Sequence, residues 1–279
     1  MVDLHLHSTF SDGSDSPEAL VDLAIEAKLT AISLTDHDTT EGTERFLAAA
    51  SACGISTITG IELSVEGPDG SLHMLGYGID PADSALQENL KELRNGRHRR
   101  NEKILQKLDN LGLSLDYDNV VGLAGNDEVV GRPHIAAAMV AAGYVETRQE
   151  AFQKYLIQGA PAYADRLRLG AARAMSLIRS AGGLPVLAHP HLLRLKRKPL
   201  QKLVAQLRRN GLAGIEVWHS RHNHNVIAAL HGIAHDLGLL VTGGSDYHGQ
   251  FKGSVRIGVG PGHLRVPDEC FAKLMANLS

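Results

Sequence analysis

The chain has 279 residues, 43% of them hydrophobic and 21% charged, which is ordinary globular composition with enough apolar material for a sizeable core. Its net charge of −3 argues against a general affinity for long polyanions such as duplex DNA, so any phosphate recognition must be local. No apolar run approaches the roughly 20 residues of a membrane span, an acidic third residue with no apolar stretch behind it predicts no secretory leader, and two distant cysteines, Cys53 and Cys270, read as buried free thiols of a reducing, cytoplasmic compartment.

The first predicted element is a short strand, Met1 to His7, with polar and apolar residues alternating. Alternation puts His5 and His7 on one face, two rungs apart, where they can grip one ion. A loop from Ser8 to Ser16 follows and carries Asp12. Ser16 and Pro17 then suit the cap and first position of a helix with an apolar stripe at Leu20, Leu23, Ala24 and Ala27. Strand Ala31–Thr35 ends in Asp36-His37-Asp38. A second helix runs from Thr40 to near Gly54, and a strand from Ile55 to Leu63 delivers Glu62. A turn at Gly67-Pro68-Asp69-Gly70 leads into an alternating strand, Ser71 to Tyr77, that carries His73. This β-α-β-α-β opening favours a parallel sheet or barrel.

The rhythm then changes. A long helix is predicted from about Ala82 to Gly112, with further helices near Pro133–Ala142 and Thr147–Leu156 and no convincing strand. The domain expectation is therefore a barrel made of residues 1–83 and 169–279, interrupted by a helical cap over 84–168. Alternation returns as Leu184–Ala188 leads to His189-Pro190-His191, Ile215–Trp218 to His219, and Leu239–Thr242 to Ser245-Asp246-Tyr247-His248. Nearly all these acidic and histidine residues fall at or just past the ends of strands. In a parallel barrel those ends share one rim, the place where active sites form.

Fifteen histidines against one Trp, five Phe and six Tyr invite a metal or proton-transfer reading. The candidate ligands are His5, His7, Asp12, His37, Glu62, His73, His189, Asp246 and His248. These are nitrogen and oxygen donors without a thiolate, which suits Mn2+, Zn2+ or Fe2+. Nine donors are too many for one ion and fit two or three ions that share a bridging carboxylate, for which Glu62 is the candidate. Taken singly each has a plainer explanation: Asp36 as a helix cap, His73 as a core histidine, Asp246 as a turn residue. Their joint placement does not.

The set H-x-H (His5, His7), T-D-H-D (Thr35 to Asp38), Glu62, His73, H-P (His189, Pro190) and S-D-x-H (Ser245, Asp246, His248) resembles the PHP family, named for polymerase and histidinol phosphatase. The resemblance implies a distorted seven-stranded (β/α) barrel of amidohydrolase-like type with a helical insertion. It also implies a first metal on His5, His7, Glu62 and Asp246, a second on Glu62, His73 and His189, and a third on Asp12, His37 and His248, with Mn2+ the first choice. The cap motif Gly131-Arg132-Pro133-His134 is similar to that of stand-alone members that act on 3′,5′-bisphosphonucleotides. Relatives of that subgroup trim short 5′-phosphorylated RNA.

The residues of the cap support phosphate binding. Arg132 offers a planar fork for phosphate oxygens, and Pro133 places a helix N-terminus beside it. Between Lys91 and Lys107 the chain carries seven basic residues and two acidic ones, with Arg97 and Arg100 on the stripe marked by Leu93 and Ile104. A solvated basic face is the plain alternative. The expectation is a metal-dependent phosphomonoesterase that removes the 3′-phosphate of a 3′,5′-bisphosphonucleotide. Arg97, Arg99, Arg100, Arg132 and His134 would clamp the 5′-phosphate, Ser8 would donate to a phosphate, and His191 or His219 would be the acid. The alternatives are a 5′→3′ exoribonuclease on short RNA, a histidinol-phosphate phosphatase, and a non-catalytic metal-stabilised partner module. A small-molecule nucleotide, or a short RNA, is the expected partner, with no membrane and no DNA duplex; nothing in the sequence specifies an oligomeric state.

Overall fold

A computed structural model describes residues 1–68, 72–124, 130–260 and 264–278. Asp69, Gly70 and Ser71, part of the expected turn and strand start, lie outside the described residues. In chain order the first elements are β1 (Val2–Leu6), α1 (Pro17–Glu26), β2 (Ala31–Leu34), α2 (Thr43–Cys53), β3 (Ser56–Thr57), β4 (Gly60–Val65) and β5 (Leu72–Tyr77). Then come α3 (Ser84–Asn110), α4 (Tyr117–Ala124), α5 (Arg132–Ala141) and α6 (Arg148–Ala151), the last continued by a π turn over Phe152–Leu156. The chain closes with α7 (Ala171–Ser180), β6 (Leu184–Leu187), α8 (Arg197–Arg209), β7 (Gly214–His219), α9 (His224–Leu237), β8 (Leu240–Gly244) and α10 (Asp268–Leu278). The chain divides into two compact units, 1–88 with 168–279 and 89–167.

The first unit contains the eight strands found among the described residues, in two sheets ordered β1-β2-β3 and β4-β5-β6-β7-β8. Single bridges cross both seams, His37 to Glu62 and Leu6 to Tyr247. The α/β architecture implied by the resemblance is present, with eight strands rather than seven and no continuous closed ladder among the described residues. β5 runs antiparallel to both β4 and β6, whereas β6, β7 and β8 are parallel. Only six residues of chain separate β4 from β5, and parallel pairing needs a much longer crossover.

The single strand expected over Ile55–Leu63 is two strands, β3 in one sheet and β4 in the other. Gly60 marks the change. A Cβ there would meet Ser33 Oγ at 2.4 Å and the Leu34 carbonyl oxygen at 2.6 Å, so only glycine lets β4 approach β2 this closely. The helices begin as their sequences dictate. Ser16 accepts from the Ala19 N–H ahead of Pro17 in α1, and Asn223 accepts from the Val226 N–H in α9.

β1 shows how the core and the site are made by one strand. Val2, Leu4 and Leu6 enter hydrophobic clusters with partners that include Tyr77, Val186, Leu20 and Ile32. Asp3, His5 and His7 alternate with them on the other face, and all are buried. A strand covered on both faces belongs to a packed α/β interior. Burial of each leucine contributes about 1.5–3 kcal/mol, and that holds the polar face in place.

The second unit is helical, with no strand among its described residues. Its core gathers Ile104, Leu108, Val120, Ile135, Met139 and Leu156. Among the described residues no helix is long and apolar enough to cross a membrane. Of the two thiols expected to be buried, Cys270 is and Cys53 is exposed, because it ends α2 next to the Gly54 turn; both are free.

Candidate metal centre

Each candidate ligand reaches the centre from a different element. His5 comes from β1, His7 from the residue directly after it, and Asp12 from the loop that follows. His37 follows β2, Glu62 sits in β4, and His189, Asp246 and His248 follow β6 and β8. His73 arrives from the opposite direction. β5 is antiparallel, so its beginning pairs with the end of β4, with Ser64 opposite His73.

Glu62 is the hub, and it is fully buried. Its Oε2 lies 3.2 Å from His5 Nε2, 3.1 Å from His7 Nε2 and 3.2 Å from His37 Nδ1. Its Oε1 lies 2.9 Å from His73 Nδ1 and 2.9 Å from His189 Nε2. Five imidazoles thus converge on two oxygens of one carboxylate. Asp246 Oδ1 adds contacts of 3.4 Å to His7 Nε2, 3.6 Å to His5 Nε2 and 3.5 Å to His248 Nδ1. Asp12 Oδ1 lies 3.2 Å from His248 Nε2 and 4.0 Å from His37 Nε2.

Three donor groups therefore form, each with its atoms within 4.8 Å of one another: His5, His7, Glu62 and Asp246; His37, Glu62 and His73; and His7, Asp12, His37 and His248. Compared with the sets implied by the resemblance, the first is the same. The second has His37, with His189 joined to it through Glu62. The third gains His7.

The electrostatics follow from this crowding. Burial alone would raise the Glu62 carboxyl, but His37, His5 and His73 outweigh it and hold the group well below the usual carboxylate range. Burial likewise opposes ionisation of Asp12, and His248, His37 and His7 overcome it. Burial depresses His7, yet Asp246 and Glu62 lift it to about 9. His37 goes the other way: burial keeps it neutral, well below its ordinary value.

The donor set fits divalent cations. His7 Nε2 is buried, with carboxylate oxygens of Glu62 and Asp246 at 3.1 and 3.4 Å. A buried imidazole nitrogen set between two carboxylates is placed as a ligand atom would be. All the donors are nitrogen or oxygen, the chemistry of Mn2+, Zn2+ or Fe2+ sites.

Backbone conformation supports the arrangement at two points. His189 (φ +26°) and Asp246 (φ +56°) occupy the left-handed region that non-glycine residues seldom adopt. Such conformations persist at functional sites where surrounding contacts enforce them.

Three residues with expected roles around the centre are engaged by neighbours. Ser8 Oγ donates to Asp36 Oδ2 at 2.6 Å and accepts from the Phe10 N–H, so its one proton is used and it has none for a phosphate. His219 Nδ1 accepts from the Arg221 N–H, which leaves the proton on Nε2, 3.3 Å from Asp246 Oδ2. Both nitrogens are engaged, one by the Arg221 N–H and one beside Asp246. His191 Nδ1 is 2.6 Å from His222 Nε2, and His222 Nδ1 donates to the Val217 carbonyl at 2.7 Å. The His191 Nδ1 proton is therefore given to His222. Burial, with His222 and His219 beside it, pushes His191 down to about 3.

The second unit holds a guanidinium cluster. Arg97 and Arg100 are each only 5% exposed. Burial and then the charges of Arg166, Arg132 and Arg97 push Arg100 well below its ordinary value. Arg100 Nε has no hydrogen-bond partner among the described residues. Arg132 donates to the Leu156 carbonyl at 3.1 Å and lies over the Tyr163 ring. His134 is buried and accepts the Gly131 N–H on Nδ1, which caps α5. Arg99 does not join the cluster. It is exposed, because it lies off the face of α3 shared by Leu93, Arg97, Arg100 and Ile104.

Two residues escaped the sequence reading. Arg166 joins the cluster from the loop before α7. Glu216 is a fully buried carboxylate in β7 beside His5. The available signal was a lone acid within an otherwise apolar strand, since charged residues are almost never fully buried without a partner.

Comparison with known proteins places the chain in a family. The chain matches the PHP domain model over residues 3–164. It is 34% identical to the 3′,5′-nucleoside bisphosphate phosphatase of Chromobacterium violaceum, over 92% of this chain and 90% of that protein. It is 33% identical to the 5′-3′ exoribonuclease of Haemophilus influenzae, over 88% and 89%. A solved Chromobacterium violaceum amidohydrolase with bound sulfate and no metal superposes with a TM-score of 0.88 at 33% identity, over 99% of this chain and 96% of that one. A domain match over most of the chain and whole-length relatives accompany a gathered histidine and carboxylate centre: the chain belongs to the PHP domain family.

Proposed function

We propose that this chain is a metal-dependent phosphomonoesterase that removes the 3′-phosphate from 3′,5′-bisphosphonucleotides, such as adenosine 3′,5′-bisphosphate. The observation that carries the reading is the convergence of five imidazoles on Glu62. The 34% identity to a nucleoside bisphosphate phosphatase supports the choice of substrate. His5, His7, Glu62 and Asp246 would hold one divalent cation, Glu62, His73 and His189 a second, and Asp12, His37 and His248 a third. Mn2+ is the proposed metal. Such ions supply a water of lowered pKa and stabilise the charge that grows on the phosphoryl oxygens.

The chain's own residues do the rest. Glu62 spans two donor groups with its two oxygens and sets their spacing. His219 keeps Asp246 turned to the centre through its Nε2–H. The buried Arg97 and Arg100, with Arg132 and Arg166, are the second unit's candidate anion site, with a phosphate as the proposed ligand. A dianion among them would relieve the repulsion that depresses Arg100. The place of action in this reading is the cytoplasm, where Cys53 and Cys270 stay reduced.

The test is phosphate release with added Mn2+ across adenosine 3′-, 5′- and 3′,5′-phosphates, a 5′-phosphorylated oligoribonucleotide and histidinol phosphate. Efficient turnover of the bisphosphate alone, with AMP as product, is expected. The identity to an exoribonuclease favours a second reading on short RNA; a larger kcat/KM on the oligonucleotide would establish it. Preference for histidinol phosphate would overturn both nucleotide readings. Metal uptake without phosphate release from any substrate would mark a non-catalytic module.

A further inference from the structure

We propose that Glu216 is a positioning residue that prepares two ligands of the metal centre at once, His5 through its ring and His189 through its backbone; the proposal rests on the reading of the centre as a cation site. Glu216 is fully buried in β7. Its Oε1 lies 2.8 Å from His5 Nδ1, and its Oε2 accepts the His189 N–H at 2.6 Å. It acts through these two residues.

The first contact fixes a tautomer. An ionised carboxylate only accepts, so the His5 proton resides on Nδ1. That leaves the Nε2 lone pair on the side of Glu62 Oε2 (3.2 Å) and Asp246 Oδ1 (3.6 Å). Metal-binding histidines are oriented in this way by a carboxylate on the far nitrogen.

The second contact fixes a backbone. His189 has φ +26° and ψ 63° directly before Pro190, a left-handed conformation for a residue with a Cβ. The Glu216 oxygen pins its N–H in that turn, and the ring is thereby delivered to Glu62 Oε1 at 2.9 Å. His5 and His189 approach different oxygens of Glu62, so one buried carboxylate sets both sides of the bridge.

Glu216→Gln separates this role from packing. The amide has the shape of the carboxylate, but one of its ends donates. If the NH2 faces His5, it drives the proton onto Nε2, the ligand atom. If it faces His189, two donors oppose each other. Glu216→Asp is a poorer fit but keeps two accepting oxygens.

The full-length protein, stripped by a chelator, would be titrated calorimetrically with Mn2+, and its metal-free melting followed. E216Q should keep the metal-free fold and bind Mn2+ about 10–100-fold more weakly. E216D should retain more affinity than E216Q. Wild-type affinity in E216Q overturns the proposal. So does the reverse order, E216Q above E216D, which packing would give. Failure of both variants to fold without metal, where wild type folds, would make the role structural and overturn it too. Wild type that takes up no Mn2+ would bring down the cation-site reading itself, and the proposal with it.

Discussion

The two units bury charge on opposite plans. Around Glu62, carboxylates and imidazoles face one another, so part of each group's burial cost is offset by a neighbour able to carry the opposite charge. Around Arg100, the strongest neighbours are three more guanidiniums, and only Tyr163 among the main influences pulls the other way. The first cluster can exist alone by sharing protons and gains its ligand field when cations replace them. The second gathers like charges around Arg100, a repulsion that an anion would relieve. Burial is common to both; the sign of the gathered charge differs.

The largest effect should come from breaking the first plan at its hub. Glu62→Gln removes the charge to which five imidazoles converge and puts an NH2 donor where an oxygen served. We expect kcat/KM on the bisphosphate to fall roughly a thousandfold or more, with Mn2+ content measured by elemental analysis falling in parallel. Activity within tenfold of wild type would show that Glu62 bridges nothing.

The proton sharing in the first cluster predicts a stability curve with a maximum. In the metal-free protein His7 is lifted to about 9, so its contribution is full below 6.5, its unfolded value, and is lost as pH rises through 9. His222 is depressed to about 4 by burial and by His219, despite its bond to Val217. Its contribution is full above 6.5 and is lost as pH falls towards 4. Metal-free melting should therefore peak near pH 6.5 and drop by several degrees on each side. Mn2+ should flatten the alkaline limb, because a ligated imidazole is already neutral. An alkaline limb unchanged by Mn2+ would mean that His7 is not a ligand.

The residues gathered around Glu62 are legible in the sequence because strand alternation and strand ends are local properties. His5 and His7 share a face by spacing alone, and Asp246 and His248 follow an apolar run by inspection. The sheet's departures were not legible. The split between β3 and β4 depends on how closely Gly60 can lie against Ser33 and Leu34, a tertiary contact. The hydrogen bonds of Ser8 and His219 are not legible for a related reason: residue type does not show that their capacity is taken up by Asp36, Phe10, Arg221 and Asp246. Glu216 and Arg166 have no spacing signal, since each meets its partners only across the fold. Arg99 shows that charge density along a helix is a weak guide; one residue's turn takes it from the cluster to the surface.

The smallest expected effect is also the sharpest test of the second plan. Arg100→Met keeps most of the buried stem and deletes the charge. If the guanidiniums form an anion site, the variant should bind the bisphosphate about 10–100-fold less well, as one lost charge-assisted contact implies. That loss should appear in KM, with the residual turnover of adenosine 3′-phosphate unchanged. Thermal stability should move the other way. Without ligand, R100M should melt no lower than wild type, because a buried cation repelled by Arg166, Arg132 and Arg97 has been removed. Sulfate should raise the melting temperature of wild type more than that of R100M. Loss of function with gain of stability is the mark of a site that holds strain for its ligand. Loss of stability with unchanged KM would instead make Arg100 a structural residue, and the contrast between the two clusters would fall.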